Sequence, residues 1–189
     1  MRIIGGRHGG QRIDAPPGRG TRPMLDRVRE AMFSTLQPWL PDGHVLDLFA
    51  GSGSLGLEAL SRGARSARFV ERAAGASERL AGNIAKLGEE DRAALDRGDA
   101  LARVSWGDEP PDVVFFDPPY PLLSEAPTRA DLLATVRELL AFAAPEAVLV
   151  FHVPRGALAA EELPDGLVAR LREYGTNALW YVQADEPSG

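Results

Sequence analysis

Asp117-Pro118-Pro119-Tyr120, directly after the apolar run Val113-Val114-Phe115-Phe116, is the string in this sequence with the most chemistry in it. Two successive prolines have no backbone N–H and fix φ, so they hold a rigid non-helical turn and leave the preceding carbonyls free as acceptors. Asp117 and the Pro118 carbonyl then converge on one small donor. The two hydrogens of an exocyclic amino group match them, and Tyr120 offers a flat face on which an extruded base stacks. Asp117, Pro118, Pro119 and Tyr120 are therefore the candidate catalytic residues.

A second constellation runs from Asp47 to Gly56, where Gly51, Gly53 and Gly56 fit G-x-G-x-x-G after an apolar strand pattern. Missing side chains there let the backbone turn tightly and approach a ligand at a helix amino terminus. Glu71 follows Gly51 by twenty residues, at the carboxyl end of the next strand pattern, where an acid accepts hydrogen bonds from both ribose hydroxyls of an adenosine. The glycine loop alone does not choose between a dinucleotide and S-adenosyl-L-methionine. Asp47 would repel a pyrophosphate and attract the ammonium of a methionine moiety, or it is a buried aspartate capping the following loop; both readings stay open. Asp99, after a weak third strand, either reaches an adenine amino group or serves as a turn residue. The candidate cofactor pocket is thus Asp47, Phe49, Ala50, Gly51, Ser52, Gly53, Glu71, Arg72, Asp99, Ala100 and Asp117.

Alternating patterns must place these groups. Strands are expected at 44–50, 66–71, 94–98, 112–116, 147–153, 168–174 and 178–183, and helices at 54–62, 74–87 and 128–142. This βαβα alternation predicts a mostly parallel seven-stranded sheet with helices on both faces. Ahead of it, Arg2-Ile3-Ile4 and Gln11-Arg12-Ile13 flank a glycine-rich segment and read as a β-hairpin. A Pro/Gly linker (15–20) and an amphipathic helix (24–40) follow. Residues 1–42 are expected to form an extension and residues 43–184 the main domain, with a disordered tail.

At 189 residues and 20.3 kDa the chain suits one domain with an appendage. No apolar run reaches the roughly 18 residues of a membrane span, and the first residues lack a secretory pattern, so a cytoplasmic location is expected. With no cysteine and three scattered histidines, no metal site is expected. The net charge of −6 is unevenly spread: residues 1–30 carry seven arginines against three acids. One end of an acidic protein is a basic arm.

Asp117-Pro118-Pro119-Tyr120 together with Asp47 to Gly53 resembles the exocyclic-amino methyltransferases. More closely, Arg2-Ile3-Ile4-Gly5-Gly6, Thr21-Arg22-Pro23, Asp26-Arg27-Val28-Arg29-Glu30, Phe33 and Leu55 to Ala64 resemble the RsmD family, in the same order along the chain. That family contains bacterial 16S rRNA (guanine(966)-N(2))-methyltransferases. The resemblance implies a Rossmann-like class I methyltransferase fold, S-adenosyl-L-methionine as cofactor, and a guanine of 16S rRNA, within a small-subunit particle, as substrate for a monomer. It also implies that the amino-terminal extension lies beside the catalytic face, with Arg2, Arg7, Arg12, Arg22 and Arg27 on rRNA phosphates. Two positions depart from the family pattern: Met24 stands where threonine is usual, and Phe151-His152 replaces an acidic residue on the fifth strand.

Three rival readings fit less of the sequence. An NAD-dependent oxidoreductase shares the glycine loop and Glu71 but has no use for Asp-Pro-Pro-Tyr. A DNA amino-methyltransferase shares that turn but commonly carries a target-recognition region for which this length leaves no room. A non-catalytic RNA-binding module would have no need of Gly51, Gly53, Glu71 and Asp117 together.

Overall fold

The computed structural model describes residues 1–15 and 24–185. Seven strands form one sheet in the order β3-β2-β1-β4-β5-β7-β6: β1 (His44–Leu48), β2 (Ser66–Val70), β3 (Ala93–Asp96), β4 (Val113–Phe116), β5 (Val148–Pro154), β6 (Leu167–Tyr174) and β7 (Asn177–Ala184). The first five strands pair in parallel, and β7 inserts antiparallel between β5 and β6. The strand order reverses between β1 and β4, the place where open α/β sheets bind ligands at their carboxyl ends.

Period-two alternation divides the core into two layers. Val113 and Phe115 face one side with Val45, Ala67 and Phe69, under α1 (Asp26–Leu36), α2 (Ser54–Ser61) and α3 (Ala74–Leu87). Val114 and Phe116 face the other with Leu46, Leu48 and Phe151, under α4 (Tyr120–Ser124), which contributes Leu123, and α5 (Ala126–Phe142), which buries Leu132, Val136 and Leu139. Strand β5 is buried from Val148 to Val153, as expected of a strand covered on both faces. No described helix is long and apolar enough to cross a membrane.

The elements depart from expectation in three places. The fourth-strand turn leads straight into α4, which the sequence pattern does not reveal: Pro119 takes the extended cap conformation and Pro121 falls in the first turn, where a missing N–H costs nothing. The first helix is shorter than residues 24–40, because α1 stops at Leu36 and a 3-10 turn carries Pro38. The amino-terminal hairpin narrows to a single bridge, Arg2 with Arg12, around a 3-10 turn at Gly6–His8. The physical reason is competition for donors. Buried Glu58 on α2 accepts from the Ile4 and Gly5 N–H groups at 2.7 and 2.8 Å, so those amides cannot extend a ladder. Gly6 is required here, since its φ is +73° and a Cβ would lie 1.9 Å from the Ser61 carbonyl oxygen. The expected linker at 15–20 falls almost wholly outside the described residues.

Ile3, Ile13, Val28, Met32 and Phe33 share one core with Phe69 and Phe115, so the extension is packed into the main sheet. Glu58 also accepts from Arg62 Nε at 2.7 Å. Glu58→Ala would leave two half-buried amides without their acceptor and Arg62 with Glu30 alone, and is expected to lower unfolding free energy by about 2–4 kcal/mol. Urea denaturation reads this, with Glu58→Gln losing distinctly less because an acceptor remains.

Candidate active site

Register builds the site. Leu48 of β1 pairs with Val70 of β2 on one side and Phe116 of β4 on the other, and Phe116 pairs with Phe151 of β5. The next residues, Phe49, Glu71, Asp117 and His152, therefore stand level at the carboxyl edge of four neighbouring strands. Sequence reasoning expected three of them there.

On leaving β1 the chain turns at once. Phe49 adopts φ 61°, a left-handed conformation costly for an aromatic residue, and its ring rests on Phe116 with centroids 5.7 Å apart. The Ala50 amide donates to the Val70 carbonyl and the Gly53 amide to the Ala50 carbonyl, closing the loop. Gly56, one turn into α2, lies so close to β2 that a Cβ would come within 2.3 Å of the Phe69 ring. Beside Gly51 a Cβ would meet nothing nearer than 4.0 Å, which leaves the loop backbone open to a ligand.

Each carboxylate has a defined partner. Asp47 is buried and accepts from the Gly56 amide at 2.9 Å, bracing the start of α2. Burial pushes its carboxyl well above the ordinary aspartate value, and the charges of Asp117 and Glu71 push the same way. Glu71 accepts from the Gly51 amide at 2.9 Å and the Ala73 amide at 2.7 Å, one on each oxygen. Asp117 Oδ1 lies 2.8 Å from His152 Nδ1, and His152 Nε2 lies 2.9 Å from Asn177 Oδ1. Asp117 Oδ2 and the Pro118 carbonyl oxygen accept no hydrogen bond among the described residues. Tyr120, 53% exposed, presents its ring at the start of α4.

The third strand ends at Asp96, whose carboxylate takes Arg68 and the Gly98 amide. Asp99 lies in the following turn, accepting from the Leu101 amide, with exposed Arg72 4.0 Å away; Ala100 beneath it is buried. Ser52 is buried, and its carbonyl accepts from Asn83 Nδ2 at 2.9 Å.

The basic arm divides. Arg7 is bound to buried Glu89, which also takes His8 at 2.6 Å and Arg92 at 2.6 Å. Burial raises the Glu89 carboxyl, but these three donors outweigh it and hold it below its ordinary value. Glu89 precedes β3, so Arg7 sits at the amino ends of the parallel strands, away from Asp117. Arg2 pairs with Asp26 at 3.0 Å. Arg12 and Arg27 are exposed and carry no ion pair among the described residues. Arg22 lies outside the described residues.

The family model described as Conserved hypothetical protein 95, the RsmD family, matches residues 1–183. The chain belongs to this family. Ribosomal RNA small subunit methyltransferase D of Escherichia coli K12 is 42% identical over 120 residues, 64% of this chain and 60% of that protein. The alignment thus spans about three fifths of the curated relative's length. Among solved structures, the yhhF protein of Escherichia coli superposes with a TM-score of 0.81 at 32% identity, covering 99% of both chains. A hypothetical protein of Thermus thermophilus gives 0.75 at 32% identity, covering 97% of this chain and 99% of the other. The sheet is that of class I methyltransferases.

Sequence reasoning missed Asn177 and Glu89, and noticed His152 only as a departure from the RsmD pattern. Asn177 carries no local signal, since its place depends on how β7 pairs with β5.

A raised aspartate binds its proton more tightly in the folded state, so its contribution to stability is complete below the ordinary value of 3.8 and is lost as pH rises. Asp47→Asn, which keeps the acceptor for Gly56, is therefore expected to raise the Tm at pH 7.5, with the gain shrinking to nothing near pH 3.8. Affinity of the same variant for S-adenosylmethionine separates the two roles: unchanged affinity assigns Asp47 to bracing the loop alone.

Proposed function

We propose that this protein transfers a methyl group from S-adenosyl-L-methionine to the exocyclic 2-amino group of a guanine in 16S rRNA, presented within a small-subunit particle. The observation that carries the reading is the meeting of Glu71 and Asp117 at the carboxyl edge of the sheet at the switch point, over buried Asp47 and beside an Asp-Pro-Pro turn with two acceptors unused among the described residues. A crevice lined by carboxylates suits a ligand with a sulfonium and an ammonium, and disfavours the pyrophosphate of a dinucleotide. Family membership supports the same choice.

The residues divide the work. Glu71 has lone pairs left for ribose hydroxyls after taking two amides, and the open backbone at Gly51 admits the nucleoside. Phe49, Ala50, Ser52 and Gly53 shape that wall; Arg72, Asp99 and Ala100 form its outer rim. Asp117 Oδ2 and the Pro118 carbonyl hold the two amino hydrogens, and Tyr120 stacks on the extruded base. When bound, the cofactor would supply a methyl carbon already activated by sulfonium, and Asp117 or water would take the proton that the methylated amine gives up. Positioning and charge stabilisation then provide the catalysis, with Asp117 facing the nitrogen where positive charge develops.

The test is transfer of tritiated methyl from S-adenosylmethionine to unmethylated small-subunit particles, followed by mapping of the modified base. Asp117→Ala is expected to lose at least about a hundredfold in rate while the cofactor still raises its melting temperature. Full activity in that variant overturns the mechanism. Arg12 and Arg27 are members of the basic arm that carry no ion pair among the described residues. Arg12→Glu with Arg27→Glu is expected to weaken particle binding and to flatten its logarithmic salt dependence by about 1–2, with cofactor affinity unchanged. Filter binding over a salt series measures this.

A further inference from the structure

His152 is nearly sealed inside the protein at the carboxyl end of β5, with only 7% of its surface exposed. Its two ring nitrogens both face oxygen: Nδ1 lies 2.8 Å from Asp117 Oδ1, and Nε2 lies 2.9 Å from Asn177 Oδ1. The orientation of the Asn177 amide is set independently, because its Nδ2 donates to the Tyr174 carbonyl at 3.3 Å. A neutral imidazole has one N–H and one lone pair, so it would turn a lone pair towards one of the two oxygens. The imidazolium satisfies both, and a buried polar atom left unmatched is costly. Among the groups facing the ring, β4 brings one charge, Asp117, and β7 brings Asn177 and no charge; Phe151 and Val153 flank it on β5.

We propose that His152 is a positioning residue for methyl transfer: an imidazolium anchored on Asn177, it holds Asp117 Oδ1 from behind so that Oδ2 and the Pro118 carbonyl stay aimed at the target amine. The proposal rests on the reading of Asp117 as the amine acceptor. Its content goes beyond that reading, because it gives a task to two residues that act through Asp117.

Three consequences follow from the geometry. A carboxylate bonded through one oxygen has lost its freedom to spin about its last torsion, and the remaining oxygen keeps one direction, as orientation-dependent catalysis requires. The charge of the pair is balanced, so Asp117 faces the amine as an acceptor fixed in place by the ring behind it. Finally, Asn177 begins β7 just after the turn at Gly175 and Thr176, and the Thr176 carbonyl accepts from the Arg155 amide. The β6–β7 turn is thereby tied through one ring to the reacting edge of the sheet. Burial alone would lower the His152 pKa, but the hydrogen bond and charge of Asp117, with Asn177, raise it above the ordinary 6.5. The ion pair accordingly stabilises the folded protein below that value and fades as pH rises through the raised one.

The experiment has an arm that needs no activity. In 15N-histidine-labelled protein at pH 6.5, the nitrogen shifts of His152 are expected to be mainly those of a doubly protonated ring, and Asp117→Asn is expected to move the titration midpoint to lower pH. A mainly neutral ring at pH 6.5, or a midpoint that ignores Asp117→Asn, overturns the proposal. The kinetic arm uses the same transfer assay. His152→Ala is expected to lower kcat about 10- to 100-fold with the KM and Kd for S-adenosylmethionine unchanged. His152→Gln, which keeps one donor to Asp117, is expected to recover part of the loss. Full kcat in His152→Ala alongside an inactive Asp117→Ala overturns the role of His152 and leaves Asp117 in place, whereas activity in Asp117→Ala overturns the underlying reading instead. Should His152→Ala fail to fold, the labelled wild-type and Asp117→Asn proteins still decide.

Discussion

Parallel backbone pairing at the ends of β1, β2, β4 and β5 is the constraint on which the site depends. Because Leu48 is bonded to neighbours on both sides, and Phe116 in turn to Phe151, the residues one step further on are held at one height with no freedom to slip. A slip of one residue would turn Asp117 and Glu71 to the other face and bring core side chains into the crevice. The hydrophobic alternation that packs Val113 and Phe115 against α1 and α2, and Val114 and Phe116 against α5, therefore also aims the chemistry. Core packing and the placing of the candidate site are one specification here.

Concentrating carboxylates at that edge carries an electrostatic cost, and the structure answers it separately at each group. Asp47, the most buried, has an amide of α2 to lean on and is pushed towards its neutral form. Glu71 spreads its charge over two backbone amides. Asp117 has the His152 ring behind it. The three acids thus differ in what holds them, and Asp117 is the one with an imidazole ring at its back. Under the proposed methyl transfer, this arrangement faces a ligand whose positive charge moves from sulfur towards nitrogen, which carboxylates suit better than they suit a phosphate.

Much of this was legible in sequence, for reasons that can be named. The helix at 74–87 matches α3 residue for residue, since its period is unbroken and it ends at Gly88. Glu71 and Asp117 were readable because a parallel sheet turns sequence distance into position: each directly follows an apolar strand run. What was hidden depends on long-range pairing or on burial of charge. Glu89-Glu90-Asp91 reads as a solvated acidic run, yet Glu89 is enclosed by Arg7, His8 and Arg92. Glu58 lies in a helix pattern where an acid normally faces water. The meeting of His152 with Asn177 exists only because β7 doubles back antiparallel against β5, which no local pattern announces.

The amino-terminal extension shows how a basic arm is fastened to an acidic body. Its fastening uses acids that face inward: Glu58 grips the backbone at Ile4 and Gly5, and Glu89 takes Arg7. Asn83 completes the attachment at the other end. It exchanges hydrogen bonds with the backbone of Asp14 and donates to the Ser52 carbonyl in the glycine loop. One buried amide thus joins the last described residues of the arm to the wall of the cofactor crevice. The arginines that fasten the arm are held by acids, whereas Arg12 and Arg27 are exposed and carry no ion pair among the described residues. Part of the arm's positive charge is thus mortar of the fold, and under the proposed function only the remainder is left for RNA phosphates.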